Sequence, residues 1–140
     1  MKRQIPVLLL TMSFVLAGCK RDGEVNTILA AIDSFTTELI TRIDTAPAPS
    51  AGVDDAQLYL DGRKSEIIAK MRILKGLRGY QVTDETKQKV AARLVDDASK
   101  IADLKIKYIS QAMNDPAFDA RLDKLVKDYQ ALLTHSSASD

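Results

Sequence analysis

Four stretches of this chain repeat apolar residues at steps of three and four, and turn-forming residues separate each stretch from the next. Such steps place the apolar side chains on one face of an α-helix, whereas a half-buried strand alternates apolar and polar residues. No stretch of the sequence alternates in this way. The pattern therefore predicts an all-α protein whose helices bury one face each.

The predicted helices extend over residues 24–44, 53–78, 83–113 and 115–133. The residues predicted to face the core are Val25, Ile28, Leu29, Ile32, Phe35, Leu39 and Ile43 in the first helix, Ala56, Leu60, Ile67, Met71, Leu74 and Leu77 in the second, Val90, Leu94, Ala98, Ile101, Leu104, Tyr108 and Ala112 in the third, and Phe118, Leu122, Leu125, Val126, Tyr129, Leu132 and Leu133 in the fourth. Four amphipathic helices joined by short connections predict an antiparallel four-helix bundle. The alternative is a three-helix core with a loosely docked first helix, because the longest connection follows that helix.

Local signals mark the ends of the predicted helices. Residues 45–52 contain two prolines, which favour an extended, semi-rigid connector. Thr83 and Asp115 are suitable N-caps, and Pro116 fits the first helical position after Asp115. Gly62 lies inside the second helix, where close packing of another backbone would explain a residue that disfavours helices.

The first residues have the layout of a secretory signal peptide. Lys2 and Arg3 form a basic start, an apolar run covers residues 5–16, and two small residues follow. The run is too short for a membrane-spanning helix, which needs about 20 apolar residues. We therefore exclude this segment from the predicted fold.

The only cysteine ends this segment in the motif Leu16-Ala17-Gly18-Cys19. The motif resembles the lipobox of bacterial lipoproteins, and the resemblance covers the first 19 residues alone. It implies a signal peptide over residues 1–18, a lipid on the sulfur of Cys19, and a short tether over residues 19–24. Lys20 stands where many inner-membrane lipoproteins have aspartate, which implies the periplasmic face of the outer membrane. The alternative is an ordinary signal peptide with a chance cysteine.

The residue types that support catalysis are scarce. The only histidine, His135, falls in residues 134–140, a segment without an apolar pattern that we predict to be a disordered tail. The carboxylates of Asp115, Asp119 and Asp123 recur at steps of four, but a cap, a first-turn position and an ion pair with Lys127 explain them. The sequence therefore predicts no catalytic residue, no metal, no cofactor and no enzymatic activity.

The third predicted helix carries charged residues four apart, which predicts a solvated face with helix-stabilising ion pairs. These predicted pairs are Glu85–Lys89, Arg93–Asp97, Asp96–Lys100 and Asp103–Lys107. The formal net charge of the whole chain is +1, and it falls to −1 without Lys2 and Arg3. A nucleic-acid-binding protein would usually be clearly basic, so we expect no nucleic-acid partner.

Basic residues occur at two places in the sequence: Lys20 and Arg21 follow the cysteine, and Lys75 and Arg78 lie at the end of the second predicted helix. If the first helix leaves the membrane, an antiparallel second helix brings Lys75, Arg78 and then Tyr80 back towards it. Anionic headgroups attract such cations, and tyrosine suits the interface. We therefore predict that these five residues contact the membrane surface. The alternative is that the cations only complement the dipole of a helix C-terminus.

The sequence favours a lipid-anchored cell-envelope protein that faces the periplasm and positions or chaperones a protein partner. Its size and architecture resemble those of pilotins, the helical lipoproteins that escort secretins, although no motif identifies that family. The alternative is a carrier that holds a lipid or other apolar ligand in a cavity of the bundle. Met71 and Met113 would suit such a cavity but are more simply core residues.

Overall fold

The structure, a computed structural model, describes residues 20–134; Cys19, the segment before it and residues 135–140 lie outside the described residues. Five α-helices cover most of this range: α1 (Asp22–Asp44), α2 (Pro49–Gly76), α3 (Asp84–Lys107), α4 (Ile109–Asn114) and α5 (Pro116–Thr134). No strand occurs within residues 20–134. The prediction of an all-α helical bundle is confirmed.

The four long helices form a bundle in which α1 packs against α2 and α3, and α5 packs against the same two helices. Successive long helices run in opposite directions, as predicted. Two pairs of neighbouring helices are nevertheless parallel. Lys100 and Lys107 of α3 reach Asp33 and Asp44 of α1 in the same order. Asp54 and Gln57 of α2 likewise reach Arg121 and Asp128 of α5 in the same order. The connection over residues 77–83 therefore crosses one end of the bundle diagonally, because α2 and α3 are not neighbours.

The first helix is fully docked, so the alternative of a three-helix core is wrong. All seven apolar residues predicted for its core face are at most 5% exposed. The fourth predicted helix, α5, buries its stripe equally well except for half-buried Leu133. Apolar core residues begin at Val25 and end at Leu132. A chain that starts at Lys20 therefore contains every side chain of the described core and should fold without the residues before it.

The connector after α1 is shorter than predicted, because α2 begins at Pro49 and not near Val53. Proline needs no backbone N–H partner in the first turn, and its fixed φ suits the helix. The preceding residue, Ala48, is extended with φ −140° and ψ 138°, as a residue before proline prefers. The connection is thus a tight turn of four residues between α1 and α2.

The close approach of another backbone predicted at Gly62 of α2 occurs instead at Gly52. A Cβ at Gly52 would lie 2.7 Å from the Ile43 Cα, so glycine lets the backbones of α1 and α2 approach closely at this turn. At Gly62 a Cβ would meet nothing within 4 Å, so the predicted close packing there is wrong. The structure shows no reason for glycine at position 62.

The third predicted helix is interrupted before its end. α3 stops at Lys107, and the short α4 follows Tyr108, which has φ −103° and ψ 18°. The Tyr108 hydroxyl donates to Asp44 Oδ1 at 2.6 Å, and its ring packs edge-on against Phe118 at 6.0 Å. These contacts with α1 and α5 accompany a break that local helix propensity alone does not predict.

The predicted caps are confirmed. Thr83 Oγ1 accepts from the Thr86 backbone N–H at 3.2 Å, and Asp115 Oδ1 accepts from the Ala117 and Phe118 N–H groups at 3.0 Å. α1 begins at Asp22, two residues earlier than predicted, and α2 ends at Gly76. Little chain therefore separates Cys19 from the bundle.

Candidate functional site

The residues predicted to contact the membrane lie at one end of the bundle. The Arg21 backbone N–H donates to the Gln81 carbonyl at 2.7 Å, and Asp22 Oδ1 accepts from the Thr83 N–H at 3.0 Å. These bonds join the start of α1 to the diagonal connection and the start of α3. We call this end, which comprises residues 20–22 and 74–87, the basal end.

All five predicted contact residues belong to the basal end, but their charges are not equally available. Arg21 forms a bidentate pair with Glu24 at 2.6 and 2.7 Å, which raises the pKa of Arg21 and lowers that of Glu24. Lys20, Lys75 and Arg78 form no ion pair with a described residue, although the charge of Lys20 contributes to the lowered pKa values of Asp22 and Asp84. The available positive charge thus comes from these three cations, whereas that of Arg21 is largely neutralised.

The basal end also carries an exposed aromatic side chain, a contact with α5 and two acidic side chains. Tyr80 is 82% exposed at the tip of the diagonal connection. The Lys75 ammonium donates to the Thr134 carbonyl at 3.1 Å, which ties the end of α2 to the end of α5. Asp84 and Glu85 also lie here, in the first turn of α3. The structure brings the predicted residues together; their contact with a membrane stays a prediction.

The opposite end of the bundle carries an exposed apolar patch, which we call the distal patch: Ile106, Ile109 and Met113. Ile106 lies in the last turn of α3, and Ile109 and Met113 lie four residues apart on α4. Ile106 is 72% exposed and Met113 is 79% exposed, so the interpretation of Met113 as a core residue is wrong. Met71, by contrast, is buried.

A buried carboxylate was missed by the sequence analysis. Asp97 was predicted to pair with Arg93 on a solvated face, yet it is 1% exposed. Burial raises the pKa of the Asp97 carboxyl to about 6, against the opposing effect of Lys100, whose ammonium lies 3.3 Å away. A signal existed: position 97 continues the steps of four and three that connect Val90, Leu94 and Ile101.

Polar groups from three helices surround Asp97. Lys100 also pairs with Asp33 of α1 at 3.0 Å and with Asp96 at 2.9 Å, and it lowers the pKa of Asp33. The Tyr129 hydroxyl of α5 bonds to Thr36 Oγ1 at 2.6 Å, and burial raises the pKa of Tyr129. Asp33 borders a small cleft of about 180 Å³, but Asp97 and Tyr129 line none of the clefts described below. We therefore assign the cluster a role in the specificity of packing.

Only some of the predicted ion pairs form. Asp96–Lys100 and Asp123–Lys127 are present. Lys107 instead pairs with Asp44, and Lys89 donates to Asn26. Both of these lysines use the neighbouring α1 because it runs parallel to α3.

The described residues offer no metal-binding group. Within residues 20–134, no group of three or more histidine, cysteine, aspartate or glutamate side chains could hold a metal ion. Asp115 caps α5, as predicted, and Asp123 pairs with Lys105 and Lys127, which lowers the Asp123 pKa to about 2. His135 lies outside the described residues. Among residues 20–134, no helix has the length and apolar character needed to cross a membrane.

Clefts of about 180 to about 460 Å³ open between the described helices. The cleft between α1 and α2 is lined by four polar or charged side chains and by four apolar or aromatic ones, among them Phe35, Tyr59 and Ile67. The Tyr59 ring lies 4.4 Å from the Arg42 guanidinium. A cleft of about 410 Å³ at the basal end has leucine or valine at four of its eight lining positions. It is the one cleft among these that adjoins the predicted membrane contacts.

Comparisons with known proteins give no information about the function of this chain. No family model matches the chain, and no curated protein or solved structure is significantly similar to it.

Proposed function

We propose that the chain is a non-catalytic interaction protein of the bacterial cell envelope, anchored through Cys19 at the periplasmic face of the outer membrane. Its bundle would hold a protein partner at a fixed height above the membrane. The observation that carries the proposal is that Lys20, next to the predicted anchor, and the distal patch lie at opposite ends of the bundle.

The length of α1 gives this height. The Lys107–Asp44 ion pair places the distal patch level with the end of α1, and α1 begins at Asp22. At 1.5 Å per residue the patch is about 33 Å from the basal end. A partner bound there would stand clear of the lipid headgroups.

The distal patch also indicates the chemistry of the partner. An exposed apolar patch with a polar rim is typical of an interaction site. Val95, which is 66% exposed, continues the same face of α3 towards the middle of the bundle. Asp103 borders the patch and forms no ion pair with a described residue. We therefore expect a partner segment with an apolar strip and a basic side chain beside it.

Lipidation is the first testable part of the proposal. Replacement of Cys19 by alanine should prevent both lipid attachment and processing, so the variant should differ in mass from the wild type and leave the membrane fraction. The measurement is mass spectrometry together with membrane fractionation. Equal processed mass and equal solubility of the two proteins would contradict a lipoprotein.

The partner site is tested by crosslinking in cells of the native organism. A photoreactive residue at Ile106 should give a discrete protein adduct, whereas the same residue at Leu58 should not. The two positions are matched, because each is 72% exposed and only Ile106 belongs to the patch. The Ile106 adduct should disappear when Ile109 is replaced by glutamate. Identical adducts from both positions, or none from Ile106, would argue against a distal docking site.

A second candidate function is transport of a lipid or another apolar ligand. The bundle core is filled by large side chains, among them Phe35, Phe118 and Tyr129, which are at most 3% exposed. A ligand therefore needs space outside this core, and the observation that favours a ligand is the apolar cleft at the basal end.

A further inference from the structure

One corner of the bundle is not filled by a helix at the basal end. α3 and α5 are antiparallel neighbours, and the ion pair between Lys105 and Asp123 fixes their alignment. Because both rise by 1.5 Å per residue, the last residue of α5 is level with about residue 94 of α3. The first turns of α3 thus extend beyond α5 and leave an open corner.

The cleft at this corner, which we call the basal cleft, has an apolar interior and a basic rim. Its volume is about 410 Å³, and Leu74 and Leu77 of α2, Val82 of the diagonal connection and Val90 of α3 form its apolar walls. The cations Arg78 and Lys87 also line it. The missing α5 turn explains why Val90 and Leu77 are only partly buried, although both continue core stripes.

On the proposed function, the apolar run of residues 5–16 belongs to a signal peptide that is removed before the protein meets a ligand. The sequence of residues 135–140, His-Ser-Ser-Ala-Ser-Asp, contains one alanine as its only apolar side chain. Such a segment cannot replace water over leucine and valine side chains at a gain in free energy. A ligand with an apolar chain and a negative charge matches the walls and the rim of this cleft better.

We propose that the basal cleft binds one acyl chain of an anionic membrane phospholipid, with the headgroup phosphate against Arg78 and Lys87. The apolar walls match the acyl chain, and the rim matches the negative charge. Arg78 forms no ion pair with a described residue, and the Lys87 pair with Asp84 involves a carboxylate that is 90% exposed. Exposed pairs contribute little stability, so Lys87 can exchange Asp84 for a phosphate.

This inference rests on the proposed function, because only a membrane-facing basal end meets phospholipids. It also extends that function. An anchor at Cys19 alone leaves the bundle free to rotate about its tether. A second attachment at the basal cleft fixes the orientation of the bundle and therefore the direction in which the distal patch faces.

The cleft is tested with residues 20–140, which lack Cys19, so the chain's own lipid cannot be the occupant. The probe is monomeric dodecyl phosphate, titrated by calorimetry, with inorganic phosphate and dodecyl maltoside as comparisons. We expect dodecyl phosphate to bind, the maltoside to bind more weakly, and inorganic phosphate not to bind. Equal binding of inorganic phosphate, or no binding of dodecyl phosphate, would overturn the proposal.

Variants locate the binding. Val90→Glu places a charge in the cleft and should weaken dodecyl phosphate binding by about ten-fold or more, and Arg78→Gln should weaken it to a similar degree. The control is Val95→Glu, the same change on the exposed outer face of α3, which should leave binding unchanged.

If circular dichroism shows that Val90→Glu does not fold, Val90→Phe, which fills the cleft with apolar atoms, should give the same loss. Equal binding by the wild type and the folded Val90 variant would exclude this cleft.

Vesicles separate this inference from the proposed function. Wild-type residues 20–140 should bind vesicles that contain phosphatidylglycerol, should not bind those of phosphatidylcholine alone, and should bind less at high salt. Val90→Glu should weaken vesicle binding and Val95→Glu should not. Equal vesicle binding by the wild type and Val90→Glu would refute phospholipid binding in the basal cleft. It would leave the proposal that the basal end faces the membrane unchanged. Absence of vesicle binding would refute the membrane-facing end, and with it the phospholipid as the ligand.

Discussion

Replacement of Leu125 by alanine is expected to lower the free energy of unfolding by about 2–5 kcal/mol. Leu125 lies on α5, which packs against both α2 and α3, and its side chain is 0% exposed. Alanine would remove three buried carbon atoms and leave a cavity that rigid helices on both sides cannot close. The measurement is urea denaturation of residues 20–140 followed by circular dichroism.

The neighbouring Lys124→Ala variant is the matched control. Lys124 is mostly exposed, and its pair with Asp128 at 2.6 Å is a surface pair four residues apart. Such a pair contributes about 0.3–0.5 kcal/mol. A loss at Lys124 as large as that at Leu125 would mean that α5 presents a different face to the core.

Replacement of Asp97 by asparagine is expected to stabilise the protein at neutral pH by about 3 kcal/mol or less. Burial raises the pKa of Asp97 to about 6 from an ordinary value of 3.8, and each unit corresponds to about 1.4 kcal/mol. The folded state therefore holds the proton more tightly than the unfolded state. The stability that protonated Asp97 contributes is complete below about pH 4 and is lost as the pH rises through about 6.

Asparagine keeps the shape of Asp97 without the charge. Its amide oxygen can still accept from Lys100, and its nitrogen can donate to the Asp33 carboxylate, which faces position 97. The stability advantage of Asp97→Asn over the wild type should thus grow between about pH 4 and pH 6 and then stay constant. Denaturation curves of both proteins at several pH values in this window measure it.

The control for this prediction is Asp96→Asn. Asp96 is adjacent in sequence and also pairs with Lys100, but its side chain is 54% exposed. Asp96→Asn leaves the buried Asp97 carboxyl in place, so its free energy of unfolding should keep the fall with rising pH that Asp97 causes in the wild type. A constant difference between Asp97→Asn and the wild type across the window would show that burial does not raise the Asp97 pKa in solution.

The sequence by itself determined the positions of the long helices, most of their ends, and the buried faces of α1 and α5. The apolar repeat of α1 and α5 and the caps at Thr83 and Asp115 involve residues at most four positions apart. Interactions of that range are independent of the rest of the chain, so they can be recognised without a structure. The shared location of the basic residues at one end also followed from alternating helix directions.

Only the tertiary structure decided which helices are neighbours. Helix direction alternates equally well whether α2 and α3 are adjacent or diagonal, so the sequence left the parallel pairing of α1 with α3 open. That pairing redirects Lys89 and Lys107 to α1. It also places Asp97 inside the bundle, because a second helix now covers that face of α3.

The two candidate sites depend on the same long-range geometry. The basal cleft exists because α5 ends level with about residue 94 of α3, whereas α3 begins at Asp84. This offset opens a corner only when the two helices pack side by side. The distal patch is exposed because α3 and α4 use another face for the core, which leaves Ile106 and Met113 without a covering helix. Periodicity reports that a residue is apolar at a helical position, but only the packing partner determines whether that position meets protein or solvent.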